Sequence, residues 1–245
     1  MKKKSKIMGV LVCMLLLFSN ITYANTPLVV LDAGHGGYDS GAKSLDGQYI
    51  EKVWNLQTTK SCKETLEKHG VDVVMTREGD MFLTLEERKQ IANSADVSIS
   101  IHYNATETHK GSYGLVIGGK VEGSTKLAYS IKDELLKIRN DVKVWEDNDK
   151  YAMTNLKVPC VIVESAFIDN PNDNKYADTL KKRKEIGERI AYGILNYLNI
   201  DVNEEKNIND KKEETPKVEK IEEDKGNFNI ADKIKNLIFK KKVEF

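Results

Sequence analysis

Residues 28–37 read Leu28-Val29-Val30-Leu31-Asp32-Ala33-Gly34-His35-Gly36-Gly37, and the glycine-rich run continues through Tyr38, Asp39 and Ser40 to Gly41 and Ala42. A short, continuous run of valine and leucine bounded by glycine reads as a buried strand. The strand stops where one histidine stands among four glycines. Taken alone, this stretch admits two readings. His35 is either a turn residue in a flexible glycine loop or a ligand presented at a strand end.

Working outward from it, apolar runs alternate with helical patterns. "EKVWNLQTTKSCKETLEKHG" reads as a helix with Val53, Leu56 and Leu66 inward and Gly70 as its stop. "VDVVMT" is the next strand. "TLEERKQIANSA" is a helix whose Thr84 and Glu87 have capping-box spacing. "DVSISIH" and "YGLVIG" read as strands, "STKLAYSIKDELLKI" as a helix, "VPCVIVE" as a strand and "KKRKEIGERIAYGILNYLNI" as the closing helix. This alternation predicts a single α/β domain with a mostly parallel central sheet flanked by helices. Such sheets place ligand sites at the carboxyl ends of their strands. His35, His102 and Glu164, each read as closing a strand, are therefore expected at one edge.

The flanks are different in kind. Residues 1–24 have the order of a secretory signal peptide: lysine-rich start, apolar stretch from Ile7 to Phe18, and Thr22-Tyr23-Ala24 at the cleavage site. The apolar stretch, about 12 residues long, falls short of the roughly 20 that a membrane span needs. An uncleaved anchor is the alternative. The expected folded domain covers residues 25–199, and the leader implies a location outside the cytoplasmic membrane. Residues 200–227 are almost wholly charged or polar and read as a disordered linker. In residues 228–245, Ile230, Ile234, Leu237 and Ile238 recur at helical spacing opposite lysines. That pattern fits a basic amphipathic helix contacting a membrane or wall polymer, or one docking back on the domain.

Composition excludes several classes. The 38 basic and 38 acidic residues balance, so no global field points to nucleic acid. Cys13 lies within the apolar leader, leaving Cys62 and Cys160, too few for a disulfide scaffold; both read as buried thiols. There is no G-x-S-x-G nucleophile elbow and no G-x-G-x-x-G dinucleotide fingerprint, which disfavours a serine hydrolase and a Rossmann oxidoreductase.

What remains is a metal constellation. Catalytic zinc takes three protein ligands from nitrogen, sulfur and carboxylate donors and keeps one position open. His35, Glu51 and His102 form a coherent candidate set, with Glu51 opening the first helix. Glu164 ends a run as apolar as "VIVE", where burial without a partner is costly. Pointing into a strand-end cleft beside a metal resolves that cost and makes it a candidate general base. Asp32 and Asp39 are placed to orient the His35 loop or to bond their own backbone. His69 precedes the helix-stopping Gly70 and is expected at the helix C-terminus, His109 is expected to be solvated, and Trp54 and Trp145 to serve packing or a surface edge.

"LDAGHGGYDSGA", Glu51, "TREGDMFLTLEERKQIANSADVSISIHYNA" and "VPCVIVESAFIDN" together resemble the zinc-dependent N-acetylmuramoyl-L-alanine amidases of bacteria, enzymes of autolysis, sporulation and germination that trim peptidoglycan. The resemblance runs from about Leu28 to Leu198. It implies that residues 25–199 are a zinc amidase catalytic domain working in the cell wall or spore envelope, with zinc on His35, Glu51 and His102, and Glu164 as the catalytic glutamate. The implied reaction is hydrolysis of the amide joining N-acetylmuramic acid to L-alanine of the stem peptide. It makes Arg77 with Asp80, and Arg88 with Asn93, scaffold contacts, and places Asn104 near substrate or the ligand shell. Two departures stand out: Ala166 where the family has glycine, and Tyr103 where it has alanine. Both are expected to reshape the groove. A non-catalytic peptidoglycan-binding relative is the alternative function, and a protein activator is left open as a partner.

Overall fold

The computed structural model describes residues 26–147 and 150–202. The expected signal peptide, nearly all of the expected linker and the expected terminal helix lie outside the described residues. Among the described residues, no helix is long and apolar enough to cross a membrane.

Six strands form one sheet: β1 (Leu28–Ala33), β2 (Asp72–Met75), β3 (Val97–Asn104), β4 (Gly114–Gly118), β5 (Val142–Glu146) and β6 (Cys160–Phe167). Their order is β2-β1-β3-β6-β4-β5. All neighbours pair in parallel except β4 with β6. The helices are α1 (Glu51–Lys68), α2 (Leu85–Ala92), α3 (Ser124–Leu135), the short α4 (Pro171–Asn174) and α5 (Leu180–Tyr197), with a 3-10 turn at Ala152–Thr154.

Side chains alternate faces along a strand, and β3 shows this plainly. Val97, Ile99, Ile101 and Tyr103 enter a core shared with Trp54, Cys62 and Leu66 of α1, Leu127 and Ile131 of α3, and Ile186, Ile190 and Ile194 of α5. The opposite face carries a smaller cluster, in which Val30, Val74, Leu115, Cys160 and Ile162 pack with Ala92 of α2 and Met153 and Leu156 near the 3-10 turn. Toward the carboxyl ends of β1, β3 and β6 this second face turns polar. His102 is the register partner of Glu164 and Asp32 that of Ser100, so all four project from the same face. Just beyond, the register shifts: between the pairs His102–Glu164 and Asn104–Phe167, the single Tyr103 of β3 faces two residues of β6, Ser165 and Ala166. Such a bulge bends a strand and re-aims its side chains.

The capping box of α2 forms as its spacing predicts. Thr84 Oγ1 accepts from the Glu87 backbone N–H, and the Glu87 carboxylate accepts from the Thr84 backbone N–H. Gly70, at φ 77°, closes the turn after α1, where His69 is the C-cap and its Nδ1 lies 2.8 Å from the Thr65 carbonyl.

Two expectations need correction. Val53 is 42% exposed rather than inward. The inner stripe of α1 is Trp54, Thr58, Ser61, Cys62, Thr65 and Leu66, mostly small residues, because α5 lies close against it. A Cβ on Gly187 would stand 2.4 Å from the Thr58 carbonyl oxygen. An apolar periodicity cannot register an interface made of threonine, serine and glycine. Strand β5 is the other difference, absent from the sequence reading; it is a short edge strand with exposed charged positions, Lys143 and Glu146. Beyond α5, Ile200 and Val202 still pack on the core.

Candidate metal centre and its cleft

The loop after β1 is held tightly rather than loosely. Gly34 donates to the Ile101 carbonyl (3.1 Å), continuing the β1–β3 ladder. A Cβ at Gly34 would lie 2.1 Å from His102 Cε1, so the absent side chain is what lets the His102 ring pack there. His35 has φ 61°, a left-handed conformation uncommon for residues other than glycine. Two arginines clamp it. Arg88 Nη2 donates to the His35 carbonyl (2.7 Å) and Nη1 to Asp32 Oδ1 (2.6 Å) and the Ala33 carbonyl (2.8 Å). Arg77 donates to the Ala33 and Gly34 carbonyls (2.8 Å each) and to Lys52 O (2.8 Å). Fixed guanidinium forks suit such multi-acceptor clamping.

Asp32 anchors the clamp from beneath, accepting from Thr76 Oγ1 (2.7 Å) and Ser100 Oγ (2.6 Å) as well as Arg88. Burial works against its ionisation, but the Arg88 charge and the two hydroxyl donors outweigh it and hold its pKa below the ordinary aspartate value. Both arginines serve the scaffold as expected, with Asp80 a charge partner of Arg77 rather than a direct hydrogen-bond partner, and Asn93 engaged elsewhere. Asp80 accepts from Lys52 Nζ and the Gly37 N–H, and Asn93 Oδ1 accepts from the Lys157 N–H.

Above this clamp the structure brings His35, Glu51 and His102 together, with one donor atom of each within 4.8 Å of the others. Glu51 Oε2 lies 3.1 Å from His35 Nε2, and Oε1 lies 2.9 Å from His102 Nδ1. The backbone N–H groups of Ala42 (2.8 Å) and Tyr103 (3.2 Å) also donate to this carboxylate. Gly41, at φ 61°, leaves it room, since a Cβ there would meet Glu51 Oε2 at 2.5 Å. Asp39 Oδ2 sits 2.8 Å from His35 Nδ1 and so orients the ring from behind, while Oδ1 accepts from the Gly41 N–H (3.1 Å). Asn55, one helical turn beyond Glu51, donates to Gly34 O (3.0 Å) and approaches Glu51 Oε1 (3.4 Å). Sequence reading missed Asn55; its i+4 spacing from Glu51 on α1 was the available signal.

Burial disfavours a charged His102, yet the hydrogen bond and charge of Glu51 prevail and raise its pKa to about 9. Burial opposes ionisation of Glu51 too, and the two histidines overcome it, pulling its pKa far down. Glu164 behaves the other way. Burial raises it to about 7, only partly offset by His102 and reinforced by the Glu51 charge. Its Oε2 is buried without a hydrogen-bond partner. A cleft of about 140 Å³ opens beside the two histidines, lined by His35, Asp39 and His102 and walled by Phe82, Leu83, Leu85 and Met153; Glu51 and Glu164 are not among its lining residues.

The donor set fits zinc. Two imidazoles and one carboxylate converge, the carboxylate meets histidine, asparagine and backbone N–H, and one side is open to a cleft. Asn104 is not drawn into the centre. Its Oδ1 accepts from the Ala105 N–H (2.8 Å), and its carbonyl accepts from Ile168 (2.9 Å).

The two family departures are corrected as well. Tyr103 and Ala166 lie in the core on the face away from the cleft, so neither reshapes the groove. Tyr103 Oη is 2.7 Å from Thr58 Oγ1, and its ring packs edge-on against Trp54. The β6 bulge brings Ala166 round to this packed face. His109 is not simply solvated; its Nδ1 lies 2.8 Å from the buried Asp169 carboxylate. Cys62 and Cys160 are buried free thiols, Trp54 is a core residue and Trp145 lies at the surface.

Comparisons with known proteins agree with this geometry. The family model for N-acetylmuramoyl-L-alanine amidase matches residues 29–196. The uncharacterized protein YqiI of Bacillus subtilis is 33% identical over 174 residues, which cover 69% of this chain and 84% of that protein. The probable cell wall amidase LytH of Staphylococcus saprophyticus is 34% identical over 174 residues, 69% of this chain but only 58% of that relative. Among solved structures, the CwlD amidase of Clostridioides difficile, in complex with the GerS lipoprotein, superposes with a TM-score of 0.67 at 31% identity, covering 72% of this chain and 100% of that one. The amidase AmiC2 of Nostoc punctiforme does so with a TM-score of 0.65 at 31% identity, covering 71% and 97%. With its clamped strand-end loop, its histidine–glutamate–histidine cluster and a family match spanning the whole described domain, the chain belongs to the N-acetylmuramoyl-L-alanine amidase family.

Proposed function

We propose that this protein hydrolyses the amide between N-acetylmuramic acid and L-alanine in peptidoglycan, with His35, Glu51 and His102 holding zinc and Glu164 acting as general base. The observation that carries the assignment is Glu164. A carboxylate on the same face as His102, directly across the β3–β6 ladder, with one oxygen buried and unpartnered, has no structural use that repays its burial. Its pKa of about 7 suits proton transfer near neutrality. The same observation disfavours a non-catalytic peptidoglycan-binding relative, in which nothing would retain such a group.

When bound, zinc supplies Lewis-acid polarisation of the amide carbonyl and makes water a competent nucleophile near neutral pH. The protein's own residues do the rest. Glu51 and the Asp39-oriented His35 set the donor geometry, and the Asp32–Arg88 pair keeps the loop from relaxing. Glu164 accepts a proton from the attacking water and returns it to the nitrogen of L-alanine as the C–N bond breaks, leaving a muramic carboxylate and a free amine.

A peptidoglycan substrate places the working enzyme outside the cytoplasmic membrane, in keeping with reading residues 1–24 as a secretion signal and with the cell wall role in the name of LytH. Residues 228–245 would then be a second contact with wall or membrane, and the lipoprotein bound to CwlD sets a precedent for a protein partner.

Glu164→Gln tests the assignment. The expected outcome is a loss of about 10²–10⁴-fold in stem-peptide release from purified peptidoglycan at unchanged zinc stoichiometry. Wild-type turnover in that variant would remove Glu164 from the mechanism.

A further inference from the structure

One wall of the cleft carries a feature that the hydrolytic chemistry does not use. Tyr38 is 83% exposed, and its ring stacks on Phe82 with centroids 4.2 Å apart and planes 24° from parallel. Phe82 lines the cleft together with His35, and Leu85, 60% exposed, continues the apolar rim. Large aromatics left in water beside a polar site mark a binding surface more often than a core defect.

The stack is built, not accidental. Gly36 and Gly37 bring the loop against the 79–82 segment so closely that a Cβ on Gly36 would meet the Met81 carbonyl oxygen at 2.2 Å, and one on Gly37 the Phe82 nitrogen at 2.7 Å. Asp80 accepts from the Gly37 N–H (2.8 Å), and Lys52 Nζ ties the Gly37 carbonyl (2.7 Å) to Asp80 (2.7 Å). The Tyr38 ring is therefore carried on a backbone fixed at both ends of the contact.

The charge around the cleft selects the occupant. The part-exposed carboxylates of this loop region, Asp39 and Asp80, are each paired, with His35 and with Lys52, so among the described residues the rim offers no free cation to an anionic stem peptide. Across the sheet a cation is available. The register runs His102, Glu164, Leu115, Lys143, so Lys143 projects from the same face two strands beyond Glu164 and is exposed, with its Nζ 3.8 Å from the Tyr113 ring centroid. The anionic peptide and the neutral sugar of a muropeptide leave the scissile amide in opposite directions. An apolar rim whose charges are paired suits the sugar.

We propose that the Tyr38–Phe82 stack is the glycan subsite of this enzyme, binding the apolar C–H face of an N-acetylated pyranose ring next to the amide that is cut. The proposal rests on the amidase reading above. Aromatic rings offer such faces large contact area with few rotors to immobilise.

The test uses the zinc-loaded full chain and peptide-free glycan oligomers as the binding probe, alongside kinetics on glycan-linked stem peptide. Tyr38→Ala is expected to weaken glycan binding and raise KM by about five- to tenfold with kcat nearly unchanged, at wild-type zinc content and melting temperature; Tyr38→Phe is expected to retain both. Unchanged glycan binding and KM in Tyr38→Ala would overturn the subsite. So would equal loss in Tyr38→Phe, or weaker binding of the sugar-free stem peptide alone. Glycan binding that depends on Tyr38 in a protein that releases no stem peptide would sink the amidase reading and leave the subsite standing.

Discussion

On one face of the sheet β3 presents Val97, Ile99, Ile101 and Tyr103, covered by α1, α3 and α5. On the other it presents Ser98, Ser100, His102 and Asn104, residues of similar bulk or smaller that end in a polar atom. The strand geometry is common to both sets, and only the period-2 alternation separates them. The packed face gains its stability from area removed from water, about 25 cal/mol per Å² of apolar surface. The site face keeps groups whose burial is unfavourable unless each finds a partner, and Asp32 and Glu164 show the two outcomes. Asp32 accepts three hydrogen bonds, from Thr76, Ser100 and Arg88, and is ionised easily. Glu164 has an oxygen with none, and resists ionisation. A fold can tolerate a few such groups when the opposite face is dry and well packed, and it is there that function concentrates.

The sharpest break between the faces comes from His35→Ala. Zinc stoichiometry should fall from one per chain toward zero, read by atomic absorption after dialysis, while circular dichroism keeps its α/β signature. Full metal occupancy in that variant would take His35 out of the ligand set.

Ile101→Ala is the converse experiment. It empties a fully buried position on the packed face and should lower stability by about 2–5 kcal/mol in urea denaturation, with zinc still bound by the molecules that remain folded. A loss of zinc without a loss of stability would mean that the faces are not separable in this way.

The two carboxylates predict opposite pH limbs in the metal-free protein. Glu164 has a folded pKa of about 7, above its ordinary value of 4.5, so the native state holds the extra proton between those values. The Glu164 contribution should therefore decline as pH rises from 4.5 through about 7, and His102, raised from 6.5 to about 9, adds a further decline above 6.5; Glu164→Gln should remove the first and leave the second. Asp32 has its folded pKa below the ordinary 3.8, so its contribution is present above 3.8 and is lost as pH falls below it; Asp32→Asn should reduce the acid limb without removing it, because Glu51, held far below its ordinary 4.5, shares it. Melting temperatures across pH 2–9 for the chelated wild type and both variants, a range chosen to span roughly these values, read both limbs.

The smallest effect is the most discriminating for Tyr103. Tyr103→Phe removes one buried hydroxyl contact, to Thr58, and should cost about 1 kcal/mol with no change in the preferred muropeptide. A changed preference would return Tyr103 to the groove from which the fold excludes it.

Most of the architecture was legible along the chain because hydrophobic periodicity and turn residues are local signals. The strands of β1, β3, β4 and β6, the capping box of α2 and the stop at Gly70 all follow from them. Strand β5 was not legible, since a five-residue edge strand with charged outward positions lacks the apolar content that marks a strand. The inward stripe of α1 was misread because its packing against α5 uses threonine, serine and cysteine, whose fit is decided by the opposing Gly187 and not by their own hydrophobicity.

At the candidate site, the sequence by itself determined the donor types and, through the matching motifs, which of them to group: His35, Glu51, His102 and Glu164. It also placed glycines around His35. Only the tertiary structure decided why those glycines are there. Gly34 yields space to the His102 ring, Gly36 and Gly37 close against residues 81 and 82, and the loop that results is clamped by Arg77 and Arg88 rather than flexible. The physical reason is that a missing Cβ is a local property, while what fills the space it leaves comes from strands and loops tens of residues away. The same holds for Tyr103 and Ala166, whose face is set by alternation and by a one-residue bulge in β6. Residue type is written in the chain; the side of the sheet on which it acts is settled by pairing.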